Sequence, residues 1–272
     1  MITREPVYAD VPTDLVSSIW RMTIVGMGEI GRAGYMTVQA LIAIPLLLTN
    51  PRSRIVLVRQ MYAVGIKSLP LITVVGMFTG MILALQVGLE LRRYNQEVYI
   101  GPAVMLSLLR EMGPFMSGIV LTACVGSSMA AQIGTMTVND EIAALEMMSI
   151  SPVRFLMAPR MAAMAIMTPL LSFYTCVLGV IGGGIIGLTQ LNVPWQQYIS
   201  MAMNIAEMRD LYVGLLKAMV FGIVVTSVSC YEGFTTTQGA VGVGRATRFS
   251  VVISILLILI FGYVITRLFY EL

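Results

Sequence analysis

Apolar residues along this chain run in long stretches broken by short polar ones, and that pattern sets the first expectations. Residues 68–89 form one such stretch; as a helix they would extend about 33 Å, enough to cross a bilayer. Further apolar stretches follow at 112–133, 161–187, 211–230 and 249–266. Charge-poor runs of this length read as membrane spans, so the pattern predicts an all-α polytopic membrane protein with five transmembrane helices. In the first span Gly76, Gly80, Ala84 and Gly88 recur every four residues, a smooth face against which another helix can pack closely. Gly179, Gly183 and Gly187 make a second small-residue stripe in the third span. Residues 33–48 are apolar but short and end at Asn50-Pro51, ahead of Arg52, Arg54, Arg59 and Lys67. We read them as an embedded elbow that enters the membrane and returns. Residues 1–32 mix charge with Val16, Ile19, Trp20 and Ile24, which predicts an interfacial amphipathic helix with Trp20 at headgroup level. The chain thus divides into an N-terminal interfacial and elbow region, 1–67, and a transmembrane core, 68–272.

The polar interruptions carry their own elements. Residues 90–111 read as a loop with a short helix after Gly101-Pro102, and 192–210 as a loop with a short helix from Pro194-Trp195. Between spans two and three lies an acidic amphipathic helix at 139–148. Thr137 and Asp140 approximate a capping box at its start. Ile142, Leu145 and Met148 share one face, and Asp140, Glu141 and Glu146 supply negative charge. Anionic lipids repel such a face, so it suits docking into a groove of a soluble partner better than lying on the membrane. A glycine-rich stretch, 233–244, precedes Arg245 and Arg248. Its amides could cradle phosphate, or it could be a tight turn opening span five.

Composition narrows the class further. Of 272 residues 57% are hydrophobic and only 11% charged, with a mean hydropathy of +0.86. The net charge of +3 is too weak to imply nucleic acid. With no histidine, neither a Ser/His/Asp nor a Cys/His constellation is possible, and no metal or cofactor is expected. Cys124, Cys176 and Cys230 all lie in apolar runs and read as small buried hydrophobes. Gly65-Ile-Lys67-Ser68 lacks the upstream glycine of a P-loop, and Gly182-Gly-Gly-Ile-Ile-Gly187 matches a dinucleotide fingerprint only formally, because no strand precedes it. A non-catalytic subunit is expected. The first 30 residues contain Asp10, Asp14 and Glu29 and lack the pattern of a cleaved signal peptide.

Cationic residues set the orientation. With a cytoplasmic N-terminus and a non-crossing elbow, Arg4, Arg21, Arg32, Arg52, Arg54, Arg59, Lys67, Arg154, Arg160, Arg245 and Arg248 lie inside. Only Arg92, Arg93, Arg110 and Arg209 lie clearly outside. This asymmetry supports a cytoplasmic acidic helix and a C-terminus on the outer side. Arg110 and Glu111 then stand at the outer mouth of span two. Glu111 ahead of Gly113-Pro114 suits the dipole of a starting helix; equally, ionisable residues at membrane depth suit a polar contact for a ligand.

Several stretches, in order and at family spacing, resemble the MlaE-type (YrbE-type) permease family, the membrane subunit of MCE-associated ABC lipid transporters. They are Leu109-Arg-Glu-Met-Gly-Pro114, Gln132-Ile-Gly-Thr-Met136, Glu141-Ile-Ala-Ala-Leu-Glu146, Ser151-Pro-Val-Arg154, Pro159-Arg160, Gly214-Leu-Leu-Lys217, Phe221-Gly222 and Gly239-Ala-Val-Gly-Val-Gly-Arg-Ala-Thr247. The resemblance covers roughly residues 20–270. It implies a homodimer in the bacterial inner membrane with five spans per subunit. It also implies two cytoplasmic ATPase subunits docked on the helix after span two, through Asp140, Glu141, Leu145 and Glu146. It further implies a periplasmic MCE protein above, with phospholipid moving between inner and outer membranes. The family's polar pair maps onto Arg110 and Glu111, and by the same analogy Phe78, Met81 and Leu85 become candidates for the wall of a lipid chamber. Many members carry an acidic residue in the last span, where this chain has Gly262. The rival expectations are a secondary transporter or channel and a membrane scaffold, neither coupled to an ATPase. No midplane Asp or Glu relay and no inverted repeat is evident to support the former.

Overall fold

The computed structural model describes residues 15–49 and 51–270, and every regular element among them is helical. In chain order these are α1 (Leu15–Thr49), α2 (Pro51–Gly65), α3 (Leu69–Arg93), α4 (Ile100–Ser107), α5 (Gly113–Leu121), α6 (Ser127–Val138), α7 (Glu141–Met147), α8 (Ala158–Gln190), α9 (Trp195–Ile205), α10 (Met208–Phe234) and α11 (Gly239–Tyr270). Three joints are π-helical turns, Leu108–Met112, Thr122–Gly126 and Val153–Met157, through which the helix widens without stopping. Five continuous helices are long and apolar enough to cross a membrane: Ser53–Arg93, Glu97–Val138, Val153–Gln190, Met208–Phe234 and Gly239–Tyr270.

The span count is the one the apolar pattern predicts, but the ends differ. α2 continues through one 3-10 turn, Ile66–Ser68, into α3, so the cationic stretch expected at the interface opens the first long helix instead. Arg54, Arg59 and Lys67 are exposed there, and their flexible stems let the charges reach a polar boundary. The expected loop at 90–111 shrinks to a turn about Asn95, because Gly101-Pro102 falls in the first turn of α4, where proline needs no partner for its missing N–H. Residues 1–14 and the Trp20 side chain lie outside the described residues. From Leu15 onward α1 runs unbroken through 33–48 with Pro45 inside it, so one helix covers the stretches read as surface helix and elbow.

The chain forms two compact units. The first comprises Met1–Leu57, Gly126–Ala162 and Val225–Ser254; the second comprises Val58–Val125, Ala163–Val224 and Ile255–Leu272. In the second unit the two small-residue stripes meet each other. A Cβ at Gly80 would overlap the backbone of Gly179, and one at Gly76 would stand 3.3 Å from Thr175. α3 and α8 therefore pack backbone to backbone, as small-residue faces allow. Thr73 Oγ1 and Tyr174 Oη join the same helices by a hydrogen bond at 3.0 Å. α4 packs on α9, where Gly101 admits the Tyr198 carbonyl, and Ile100, Val104, Leu108 and Tyr198 are buried together. In the first unit α1 packs against the π-turn Val153–Met157. There Gly233 lies against Ile133, and the Thr137 hydroxyl, whose one proton is shared with the Ile133 carbonyl of its own helix, stands 3.0 Å from the Gly233 carbonyl and links α6 to α10.

Candidate functional site

Arg110 and Glu111 occupy the π-turn Leu108–Met112, deep within the second long helix and not at its start. The dipole reading of Glu111 therefore does not apply. The wide turn has a local cause. Pro114 follows it and would otherwise press its ring on the carbonyl four residues back. The turn closes from Gly113 N–H to the Leu108 carbonyl. Pro114 also has no N–H to give the Arg110 carbonyl, and that carbonyl receives Lys217 Nζ at 2.8 Å.

α10 supplies the partners. Asp210, Gly214 and Lys217 are spaced by four and three residues and so share one face. A Cβ at Gly214 would overlap the Leu109 carbonyl, so the glycine lets α10 approach the π-turn with a charge on either side of the contact. Arg110 Nε and Nη2 donate to the two oxygens of Asp210 at 2.7 and 3.2 Å, the paired geometry a guanidinium favours. Tyr270 Oη donates to the same carboxylate at 2.8 Å, and the Arg110 guanidinium stands 4.7 Å from the Tyr270 ring centre. Lys217 Nζ also donates to Glu111 Oε1 at 2.6 Å and to Thr266 Oγ1 at 2.7 Å. Thr266 Oγ1 lies 2.7 Å from Glu111 Oε1 and 2.8 Å from the Gly262 carbonyl.

Burial divides the four charges into two kinds. The side chains of Asp210 and Lys217 are each 1% exposed, whereas those of Arg110 and Glu111 are 41% and 43% exposed. A buried charge is tolerable only when paired and hydrogen-bonded. Lys217 meets that condition with an acceptor for each of its three protons, and Asp210 with bonds from Arg110 and Tyr270. The buried pair fixes the half-exposed pair. What remains open is one cation and one anion side by side: N–H groups suited to phosphate, and a carboxylate suited to an ammonium.

The other predicted residues fall elsewhere. Phe78 is 58% exposed and Met81 and Leu85 are half-buried, all on α3 and away from its glycine face. They belong to the same unit as the polar cluster. Asp140, Glu141, Leu145 and Glu146 lie at α7, in the first unit. The capping box does not form. Thr137 still belongs to α6 and donates to its Ile133 carbonyl at 2.9 Å, while Asp140 takes a left-handed φ of 59° with no side-chain cap. Such back-bonding competes with capping. α7 buries none of its residues, and Met147 and Met148 project beside the acids at 89% and 62% exposure. In the glycine-rich stretch α11 starts at Gly239, φ +62°, and Gly242 N–H is committed to the Gln238 carbonyl at 3.3 Å. The stretch expected as a tight turn is thus the opening of α11 itself, and the chain turns just before it, at 235–238.

Sequence reasoning missed Asp210, Thr266 and Tyr270 and gave Lys217 no role. The available signal was the Asp-x-x-x-Gly-x-x-Lys spacing, which puts two charges and a glycine on one face of an apolar helix.

Comparison with known proteins agrees with this architecture. The permease MlaE family matches residues 57–268. A probable ABC transporter permease protein of Rickettsia typhi is 38% identical over 238 residues, covering 88% of this chain and 92% of that protein. The intermembrane phospholipid transport system permease protein MlaE of Haemophilus influenzae is 31% identical over 258 residues, covering 94% and 98%. A probable ABC transporter permease protein of Synechocystis is 34% identical over 212 residues, covering 78% and 81%. A match over most of the chain, five apolar helices and relatives aligned nearly end to end lead to one assignment: this membrane protein belongs to the permease MlaE family.

Proposed function

We propose that the chain is the permease subunit of an ATP-driven phospholipid transporter, moving lipid between inner and outer membranes. The observation that carries this reading is the half-exposed Arg110–Glu111 pair held by buried Asp210 and Lys217 in a chain related to a phospholipid permease. A lipid needs an apolar path for its acyl chains and a polar contact for its headgroup. Arg110 offers the phosphate contact and Glu111 the contact for an amine, while Phe78, Met81 and Leu85 form part of the apolar wall. The subunit itself is non-catalytic. Two ATPase subunits dock from the cytoplasm on α7, where Asp140, Glu141 and Glu146 supply charge, and Leu145 with the projecting methionines supplies apolar contact. Two copies of the chain meet around the lipid path, with an MCE protein on the periplasmic side and the N-terminus in the cytoplasm of the bacterial cell.

Purification of the tagged chain from its native membrane in mild detergent tests this. An ATPase and an MCE protein should co-purify in stoichiometric amounts, with phospholipid identified by mass spectrometry. Glu141→Lys combined with Glu146→Lys should strip the ATPase while the permease still inserts and dimerises, because like charge across an interface costs several kcal/mol. A double mutant that keeps its ATPase at normal yield would remove α7 from the docking role. A wild-type preparation that moves lipid with no ATPase bound would favour an uncoupled transporter.

A further inference from the structure

Among the described residues, Arg160 is buried without a counter-charge. It follows Pro159 in the first turn of α8, immediately after the π-turn Val153–Met157, and is 6% exposed. Its Nη2 donates to Gln132 Oε1 at 3.3 Å and its Nη1 to the Leu156 carbonyl of its own helix at 3.5 Å, both long. Its Nε has no acceptor among the described residues. Among the described residues no carboxylate lies within ion-pair distance, and the titratable neighbour is the buried Cys230 thiol. The Gln132 amide is steadied in turn by Ser128 Oγ at 3.2 Å.

This arrangement works against stability. A buried ion without a partner is costly, and even a buried ion pair can often be replaced by apolar residues of similar volume with no loss of stability. An orphaned buried N–H adds to that cost. A buried group so poorly satisfied calls for an explanation outside stability. Its position offers one. Gln132 lies midway along α6 and Arg160 at the start of α8, and α7 is the segment strung between those helices. The Arg160–Gln132 bond therefore ties together the two arms that carry α7, through a single long contact that is cheap to break and remake.

We propose that Arg160 is a positioning residue that couples α6 to α8, so that displacement of α7 moves both arms together. Its weakly held guanidinium is the part that changes partner during the cycle. The inference rests on the reading that an ATPase acts on α7. It predicts an unusual pairing of effects: satisfying or removing the charge strengthens the fold and weakens the coupling.

The test uses the full complex reconstituted in vesicles, with Arg160→Met to remove the charge and Gln132→Glu to neutralise it in place. Three quantities are read: the thermal midpoint, retention of the ATPase subunits, and lipid transferred per ATP hydrolysed. Both variants should hold or raise the midpoint, keep their ATPase, and lose at least about fivefold in lipid per ATP, the lower range of a coupling free energy. Unchanged lipid per ATP in both assembled variants overturns the inference. So does a lowered midpoint in both, which would make Arg160 an ordinary structural contact. Failure of the underlying reading looks different: charge reversal at Glu141 and Glu146 would then leave ATPase binding intact.

Discussion

Lys217 gives all of its three protons to acceptors, two of them on consecutive residues of one π-turn, Arg110 O and Glu111 Oε1. Removing it leaves the Arg110 carbonyl without that donor and Glu111 Oε1 with the Thr266 hydroxyl alone. Lys217→Met should therefore destabilise the permease by about 1–3 kcal/mol, the range for orphaning polar groups. Combined with Glu111→Gln the cost should be less than additive, since the two residues share one bond. Unfolding midpoints of the single and double variants in detergent check this; strict additivity would contradict the pairing. The individual residues were only partly legible in the sequence. Arg110 and Glu111 announce themselves as charges beside an apolar run. Asp210 lies 100 positions from its partner Arg110, and Thr266 lies 155 from Glu111. No local pattern specifies pairings that long.

At the scale of elements, the glycine stripes translate directly into geometry. Gly80 has no room for a methyl group because the Gly179 backbone occupies that space, whereas a Cβ at Gly118 would meet only the side chains of Phe221 and Ile258, at 3.3 and 3.4 Å. Backbone cannot step aside as a side chain can. Gly80→Ala should lower the thermal midpoint markedly and Gly118→Ala only slightly; equal effects would contradict the close α3–α8 packing. Period and composition made these stripes legible, and the span count with them. The ends of the spans were not, because polar residues such as Arg54 and Arg59 continue a helix past the apolar run. The π-turns were also hidden. One extra residue shifts the helical phase by about 100°, but a span that is apolar nearly all round has little periodicity in which to show it, and only the prolines at 114 and 159, each two residues past a π-turn, hint at them.

For the whole molecule, we propose from the charge asymmetry that α7 faces the cytoplasm and residues 94–96 face the opposite side. Single cysteines in a background with Cys124, Cys176 and Cys230 replaced should follow that topology: an impermeant thiol reagent applied from the periplasmic side should label position 95 and spare position 146. Labelling at 146 would invert the molecule and detach α7 from any cytoplasmic ATPase. The central claim is that lipid passes the Arg110–Glu111 pair along the wall that includes Phe78, Met81 and Leu85. Its most direct test places photo-crosslinking residues at 78, 81, 85 and 110 of the reconstituted complex and compares phospholipid capture with and without ATP turnover. Transported lipid should be captured at these sites in amounts that change with turnover, and Arg110→Ala and Met81→Asp should abolish transfer in complexes that still assemble. Capture indifferent to ATP at every site, with both substituted complexes fully active, would contradict the account.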